Sequence, residues 1–201
     1  APARPAAVEA APSYSAGNAD DFAVIDMFEK LYKTAKKDDL DIVRSNYRAH
    51  VTGQDPAKDA LVENLAICGS YGKVFNPMDN PCVFMCQPAI WTSIYKRSLL
   101  NEHDVRFLPT PGASFQDTAF YFKAFYAASR VMLLKEGYLH YRVDNANSSV
   151  KNQNKLFCVC DEYAEVWRYA KSEPEKLISG GPMMGFAMYS TDCPVTKTSS
   201  A

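Results

Sequence analysis

Helices alternating with short strands predict an α/β fold in which a mixed sheet is flanked by helices. Three stretches support that reading. An amphipathic run from residue 26 feeds a β-branched segment at residues 41 to 45. An aromatic-rich helix opening at Asp117 precedes two apolar extended segments, and a last amphipathic helix covers residues 157 to 171.

Residues 1 to 17 are rich in Ala, Pro and Ser and lack periodic apolar positions, so they are expected to form a flexible arm. In the next segment Met27, Phe28, Leu31, Tyr32 and Ala35 follow helical spacing, with Lys33, Lys36 and Lys37 on the other side. Asp26 is placed to cap the start of this helix, and Lys36 and Lys37 suit the negative end of its dipole. Between residues 51 and 82, Gly53, Pro56, Gly69, Gly72, Pro77 and Pro81 interrupt the pattern, and only residues 60 to 67 read as helical.

Periodicity resumes at residue 87. Ile90, Trp91, Ile94, Tyr95, Leu99 and Leu100 are available to a packed face, with Lys96 and Arg97 outside it. Residues 106 to 109 read as a short extended piece. A helix is expected over residues 117 to 130, packed through Phe120, Ala124, Ala127 and Ala128. Strands over 131 to 135 and 138 to 143 follow, separated by a turn at Glu136-Gly137. Pro174 marks a boundary, giving an arm (1 to 17), a domain (18 to 171) and a short Gly- and Met-containing tail (172 to 201).

Composition narrows the function. Of 201 residues, 47% are hydrophobic and 22% charged, ordinary values for a globular chain. A net charge of -1 with no basic tract argues against nucleic acid as a partner, since neutralising phosphates requires a local excess of Lys and Arg. No apolar run approaches the ~20 residues a membrane helix requires, and the N-terminal residues lack the apolar core of a secretory signal. The expected setting is therefore soluble and cytoplasmic. The six cysteines, at 68, 82, 86, 158, 160 and 193, are too sparse for a disulfide scaffold. Cys82 and Cys86 could supply two metal ligands but no second pair completes a tetrahedral set, so buried reduced thiols are expected.

Three segments, in this order, carry a resemblance: NADDFAVIDMFEKLYKTAKKDDLDIV, then PAIWTSIYKRSLL, then PGASFQDTAFYFKAF followed by YLHYRVDNANSSVK. Together, from Asn18 to about Lys171, they resemble the acceptor-side portion of a family 2 glycosyltransferase, an inverting enzyme on a GT-A fold. The resemblance implies a partial GT-A-like fold. It also implies transfer of a sugar from a nucleotide-sugar donor to a glycan or lipid-linked acceptor, with peripheral membrane association through such an acceptor. That family begins with a nucleotide-binding βαβ half that these residues do not contain. A truncated chain with weak or no turnover is therefore expected, and the apolar edge of an incomplete sheet leads us to expect self-association.

The resemblance also assigns residues. Asp117 falls where the family has its catalytic base, which takes the proton of the acceptor hydroxyl. Gln116 stands where the family has the preceding Glu, so tuning of Asp117 by an adjacent carboxylate is expected to be absent. Gln116 and Trp91 fall on the acceptor side. Asp20 matches the last acid of the DxD metal motif and Asn18 replaces its first, implying a divalent metal, Mg²⁺ or Mn²⁺, bound with the donor diphosphate. Arg142 resembles the basic residue near the leaving phosphates, and His140, two residues earlier on the same strand face, would be an additional metal or phosphate contact. The last segment, around GGPMMG in residues 173 to 201, resembles part of the C subunit of Rnf-type electron transport complexes.

Several of these residues also have a structural role open to them. Asp117 can cap the helix it begins, Asp20 and Asp21 can form a solvated turn, and His140 can be a strand histidine with a satisfied hydrogen bond. Phe120, Tyr121, Phe122, Phe125 and Tyr126 are expected to be core before they are a sugar platform. A non-catalytic structural or interaction domain is thus the alternative to an enzyme, and a redox protein acting through the tail is a third.

Overall fold

A computed structural model of the chain describes residues 21–109, 115–145, 156–173 and 176. Among these residues the sheet contains six strands: β1 (Phe22–Ala23), β2 (Ile42–His50), β3 (Ala60–Val62), β4 (Val74–Phe75), β5 (Ser93–Tyr95) and β6 (Val131–Arg142). Its centre is the parallel pair β2 and β6. β1 and β4 pair antiparallel with β6, and β3 and β5 pair antiparallel with β2. Among the described residues four α-helices accompany it: α1 (Met27–Lys37), α2 (Arg97–Glu102), α3 (Asp117–Ala127) and α4 (Leu156–Lys171).

Alternation along the strands divides the core into two layers, because successive side chains point to opposite faces. Ile42, Tyr95, Val131 and Leu133 face α3 and α4, where they pack with Phe120, Phe122, Val166 and Tyr169. Val43, Ile94 and Met132 face α1, where they meet Met27 and Leu31. The α/β expectation of a mixed sheet flanked by helices is met.

Several local expectations are corrected. Helix α1 packs through Met27 and Leu31, while Phe28 and Tyr32 are 43% and 42% exposed. Each of these lies one position after a buried residue, which turns it about 100° around the helix and off the sheet. Asp26 precedes the helix but makes no capping bond, and its carboxylate pairs with Lys30 at 2.7 Å. Residues 60 to 67 do not form an α-helix. Residues 60–62 pair with Tyr47, Arg48 and Ala49, and a 3-10 turn follows at Ala66–Cys68, so sheet pairing overrides local propensity. Residues 87 to 100 form a 3-10 turn, strand β5 and helix α2, with Lys96 and Arg97 exposed as expected.

The turn expected at Glu136-Gly137 is a bulge within one continuous strand. The register slips between Ser45 and Tyr47, and Asn46 pairs with Gly137 before the ladder resumes to His50↔Arg142. A Cβ at Gly137 would lie 2.7 Å from Leu61 Cδ1 and 3.0 Å from the Tyr47 carbonyl carbon, so the close approach of these strands requires glycine. Helix α3 is shorter than expected and buried from Ala119 to Ala127 on every side, because α4 covers the face turned away from the sheet. Lys123 survives there by pairing with Glu165 of α4 at 2.9 Å.

Candidate functional site

The start of α3 gathers the groups with the strongest chemical potential. Phe115 has φ 57°, a left-handed conformation that is strained for a bulky residue, and its carbonyl accepts the Thr118 N–H at 2.9 Å to turn the chain into the helix. Asp117 is the first helical residue. Burial pushes its carboxyl up to about 6, against the hydrogen bonds from the backbone N–H groups of Asp117 and Thr118 and the positive charge of Arg44.

Glu162 of α4 approaches the same helix end. It is fully buried, and its Oε2 accepts the Ala119 N–H at 2.9 Å while its Oε1 has no partner among the described residues. Burial pushes its carboxyl up to about 7 and the neighbouring Asp117 adds to the shift, while the Ala119 bond opposes it. Glu162 thus feels the charge of Asp117, whereas no carboxylate is among the influences that set the Asp117 carboxyl itself. Gln116 sits just before the helix and is partly buried.

Arg44 lies beneath this end of α3, also fully buried. Its guanidinium carbon stands 4.8 Å from the Tyr121 ring centroid, and Nη2 donates to the Gln87 carbonyl. Nε and Nη1 have no partner among the described residues. Gln87 in turn accepts the Tyr47 hydroxyl at 3.1 Å through its side chain. Tyr47 leads to an aromatic group in which Trp91 stacks on Tyr141 at 5.1 Å and 5°, and Tyr47 meets both edge-on. Trp91 is thus half-buried in an aromatic stack connected through Gln87 to Arg44.

His140 and Arg142 project from the opposite face of β6 to Tyr141. His140 Nδ1 lies 2.6 Å from Asp59 Oδ2 and His50 Nδ1 lies 2.9 Å from the same oxygen, while Gln54 Nε2 donates to Asp59 Oδ1 at 2.9 Å. Phe22 stacks on His140 at 4.6 Å. His140 therefore has the satisfied strand position that was its structural alternative. Arg142 ends β6, with Nε 3.0 Å from Asp144 Oδ1, and its backbone N–H donates to Asp21 at 2.9 Å. Burial works against ionisation of Asp144, yet bonds from Thr52 and Arg142 outweigh it and hold the carboxyl below its usual range.

Asp117 and Arg142 consequently belong to two separate groups on different faces of the central strands. Asn18 and Asp20 lie outside the described residues; Asp21, the first described residue, accepts the Arg142 backbone N–H. Among the described residues no group of three His, Cys, Asp or Glu side chains could hold a metal ion. No helix among them is long and apolar enough to cross a membrane.

Arg44, Gln87 and Glu162 were not singled out from the sequence, although two of them left a signal. Arg44 occupies the same inward phase of β2 as Ile42, and Glu162 recurs with Glu165, Val166 and Tyr169 on the buried stripe of α4. Charges at core positions of a periodic pattern were the clue.

No family model matches the chain, and no curated protein matches it either. Among solved structures, the chain is similar to S. aureus TarS 1-349 in complex with UDP-GlcNAc, with a TM-score of 0.51 and 14% identity over 84% of this chain and 49% of that one. Against S. aureus TarS 1-349 in complex with UDP the TM-score is 0.46 and the identity 17%, over 75% of this chain and 37% of that one. The chain thus spans about half the length of the TarS structure it matches. The resemblance of residues 173 to 201 to an Rnf subunit finds no support in these comparisons. What the first superposition establishes is a glycosyltransferase-like fold.

Proposed function

We propose that the chain carries the acceptor side of an inverting glycosyltransferase, with Asp117 as the general base. The observation that carries this reading is the Asp117 carboxyl at the start of α3, raised to about 6 by burial and set beside the buried charge of Arg44. A carboxyl at that value is ionised at neutral pH yet more basic than an exposed one, which suits it to accept a hydroxyl proton during bond formation. The fold shared with a structure that holds UDP-GlcNAc supports a nucleotide-sugar donor.

In this mechanism Asp117 takes the proton of an acceptor hydroxyl as its oxygen attacks the anomeric carbon of the donor. The bond from that carbon to the diphosphate breaks on the opposite side, so the configuration inverts and the nucleoside diphosphate leaves. Trp91, stacked with Tyr141, offers an aromatic edge to a sugar ring of a glycan or lipid-linked acceptor, and Gln116 stands beside the base. Arg142 ends β6 in the separate group on the other face of the central strands, so it has no part in this step. A divalent cation, Mg²⁺ or Mn²⁺, belongs to this proposal on Asp20 with Asn18, where it would neutralise the leaving diphosphate.

One observation favours a second reading. Asp117 accepts backbone N–H groups at the start of α3, as a purely structural capping residue would. Asn caps a helix as well as Asp but cannot act as the base, so Asp117→Asn separates the two roles. Sugar transfer from UDP-sugars by the full chain, lost in Asp117→Asn with the melting temperature retained, is the outcome expected of a base. Transfer that persists in both Asp117→Asn and Asp117→Ala would overturn that assignment. Failure of nucleoside diphosphates with Mn²⁺ to bind in calorimetry would favour the non-catalytic domain.

A further inference from the structure

The thiols of Cys68 and Cys86 face each other inside the α3 side of the core, with Sγ to Sγ at 3.5 Å. They come from two short turns. Cys68 closes the 3-10 turn Ala66–Cys68 and precedes Gly69 at φ 61°, while Cys86 ends the 3-10 turn Pro81–Met85. Asn80 ties these turns together by donating to the Cys68 carbonyl at 3.0 Å. The sequence pointed to the Cys82 and Cys86 pair, but Cys86 reaches only the Cys82 carbonyl, at 3.6 Å.

We propose that Cys68 and Cys86 form a reversible redox pair, in which Cys86 is the nucleophilic thiolate, Cys68 the resolving thiol, and Arg44 the charge that supports the thiolate. This proposal does not depend on the glycosyl-transfer reading. A thiolate is the reactive form of cysteine, and a hydrogen-bond donor together with a nearby cation is what stabilises it. Both are present. The contact between the two sulfurs holds the Cys86 thiol below its ordinary value despite burial and pushes the Cys68 thiol up, and Arg44, which donates to the carbonyl of the next residue, Gln87, adds its charge on the Cys86 side. Arg44 has Nε and Nη1 unpartnered among the described residues, so its charge is not spent in a hydrogen-bonded ion pair there.

The bond also lies within mechanical reach. A disulfide has an S–S distance of about 2 Å, so closing it from 3.5 Å asks for a small shift, and it falls on two short turns instead of on the central strands. With a hydroperoxide as oxidant, the Cys86 thiolate attacks one peroxide oxygen. The S–O bond forms as the O–O bond breaks, and the departing oxide takes up a proton. The Cys68 sulfur then attacks the sulfenic sulfur, loses its proton and expels the hydroxyl as water. For hydrogen peroxide, two thiols and one peroxide give one disulfide and two waters. Gln87 follows Cys86 in the chain and receives bonds from both Arg44 and Tyr47, so the bridge would shift their shared acceptor.

The experiment uses the full chain. It is treated with hydrogen peroxide in the native state, alkylated under denaturing conditions, and mapped by peptide mass spectrometry. Expected is the joint loss of alkylation at Cys68 and Cys86 with a mass lower by two hydrogens, restored by dithiothreitol, and the same result in Cys82→Ser. In Cys68→Ser, Cys86 should stop at the sulfenic acid and be captured by dimedone. A bridge that maps to Cys82, or oxidation of other cysteines while Cys68 and Cys86 stay alkylated, would overturn the proposal. If Cys68→Ser does not fold, the wild-type and Cys82→Ser maps decide it.

Discussion

The two buried polar groups flanking the central strands differ in how fully their carboxylates are satisfied. Asp59 receives His50, His140 and Gln54, and although burial opposes ionisation these bonds hold its carboxyl below the usual range. Among the described residues Asp117 and Glu162 receive only backbone N–H groups, both are pushed up by burial, and Glu162 keeps one oxygen without a partner there. A saturated carboxylate fixes structure, whereas an under-satisfied one retains a proton affinity that chemistry can use. The contrast separates a structural cluster from a reactive one without reference to any relative.

The largest expected effect is on activity. Asp117→Asn should lower sugar transfer by about 10²–10⁴-fold, the usual contribution of a positioned base, and leave the melting temperature unchanged or slightly higher because a buried ionisable group is removed. Steady-state kinetics with parallel thermal melts would show it. A large fall in melting temperature would place Asp117 with Asp59 as structural.

Asp59→Ala should act in the opposite way. It leaves His50, His140 and Gln54 without their shared acceptor, and we expect the melting temperature to fall by roughly 10 °C. Scanning calorimetry tests this, and a shift of a degree or two would mean that the cluster is more loosely held than its distances indicate.

The pH dependence is smaller and has a defined sign. Asp117 rises from 3.8 to about 6 and Glu162 from 4.5 to about 7, so the folded chain binds their protons more tightly than the unfolded chain does. Their contribution to stability is fully present below the ordinary values and is lost as pH rises through the folded ones, between about pH 4 and pH 7. Urea midpoints across that range should decline, and Glu162→Gln should flatten the upper part. A midpoint that rises through this window in the wild type, with no change in Glu162→Gln, would contradict the assignment.

The smallest effect is expected for Arg44→Met. The variant loses the bond to Gln87 and the contact with Tyr121 but escapes burial of an incompletely paired charge, so stability should change by no more than about 1 kcal/mol. Carbon-detected NMR titration should at the same time find the Asp117 carboxyl higher than in the wild type, since a favourable charge is gone. An unmoved titration would show that Arg44 does not act on the base.

Much of the fold was legible because periodicity survives folding. Met27 and Leu31, Ile42 against Val43, and the stripe of α4 through Val166 and Tyr169 follow from spacing alone. Phe28 and Tyr32 were misjudged because spacing gives a direction around a helix but not the width of the face its partner covers. Residues 60 to 62 were misjudged because an edge strand takes its conformation from the neighbour it pairs with, here Tyr47 to Ala49. In the site, Asp117 was marked by its helix start and by the family resemblance, while Glu162 and Arg44 were hidden inside apolar patterns that normally mean core.

By itself the sequence determined the α/β class, the helix beginning at Asp117 and the candidacy of its carboxylate, since these depend on local spacing and residue chemistry. Tertiary structure decided what each charged group faces. It gave His140 to Asp59, set Glu162 and Arg44 near Asp117, and faced the Cys68 thiol with that of Cys86 instead of Cys82. The physical reason is that pKa and reactivity depend on burial and on partners distant in sequence, Glu162 and Asp117 being 45 positions apart, and no local pattern encodes those contacts.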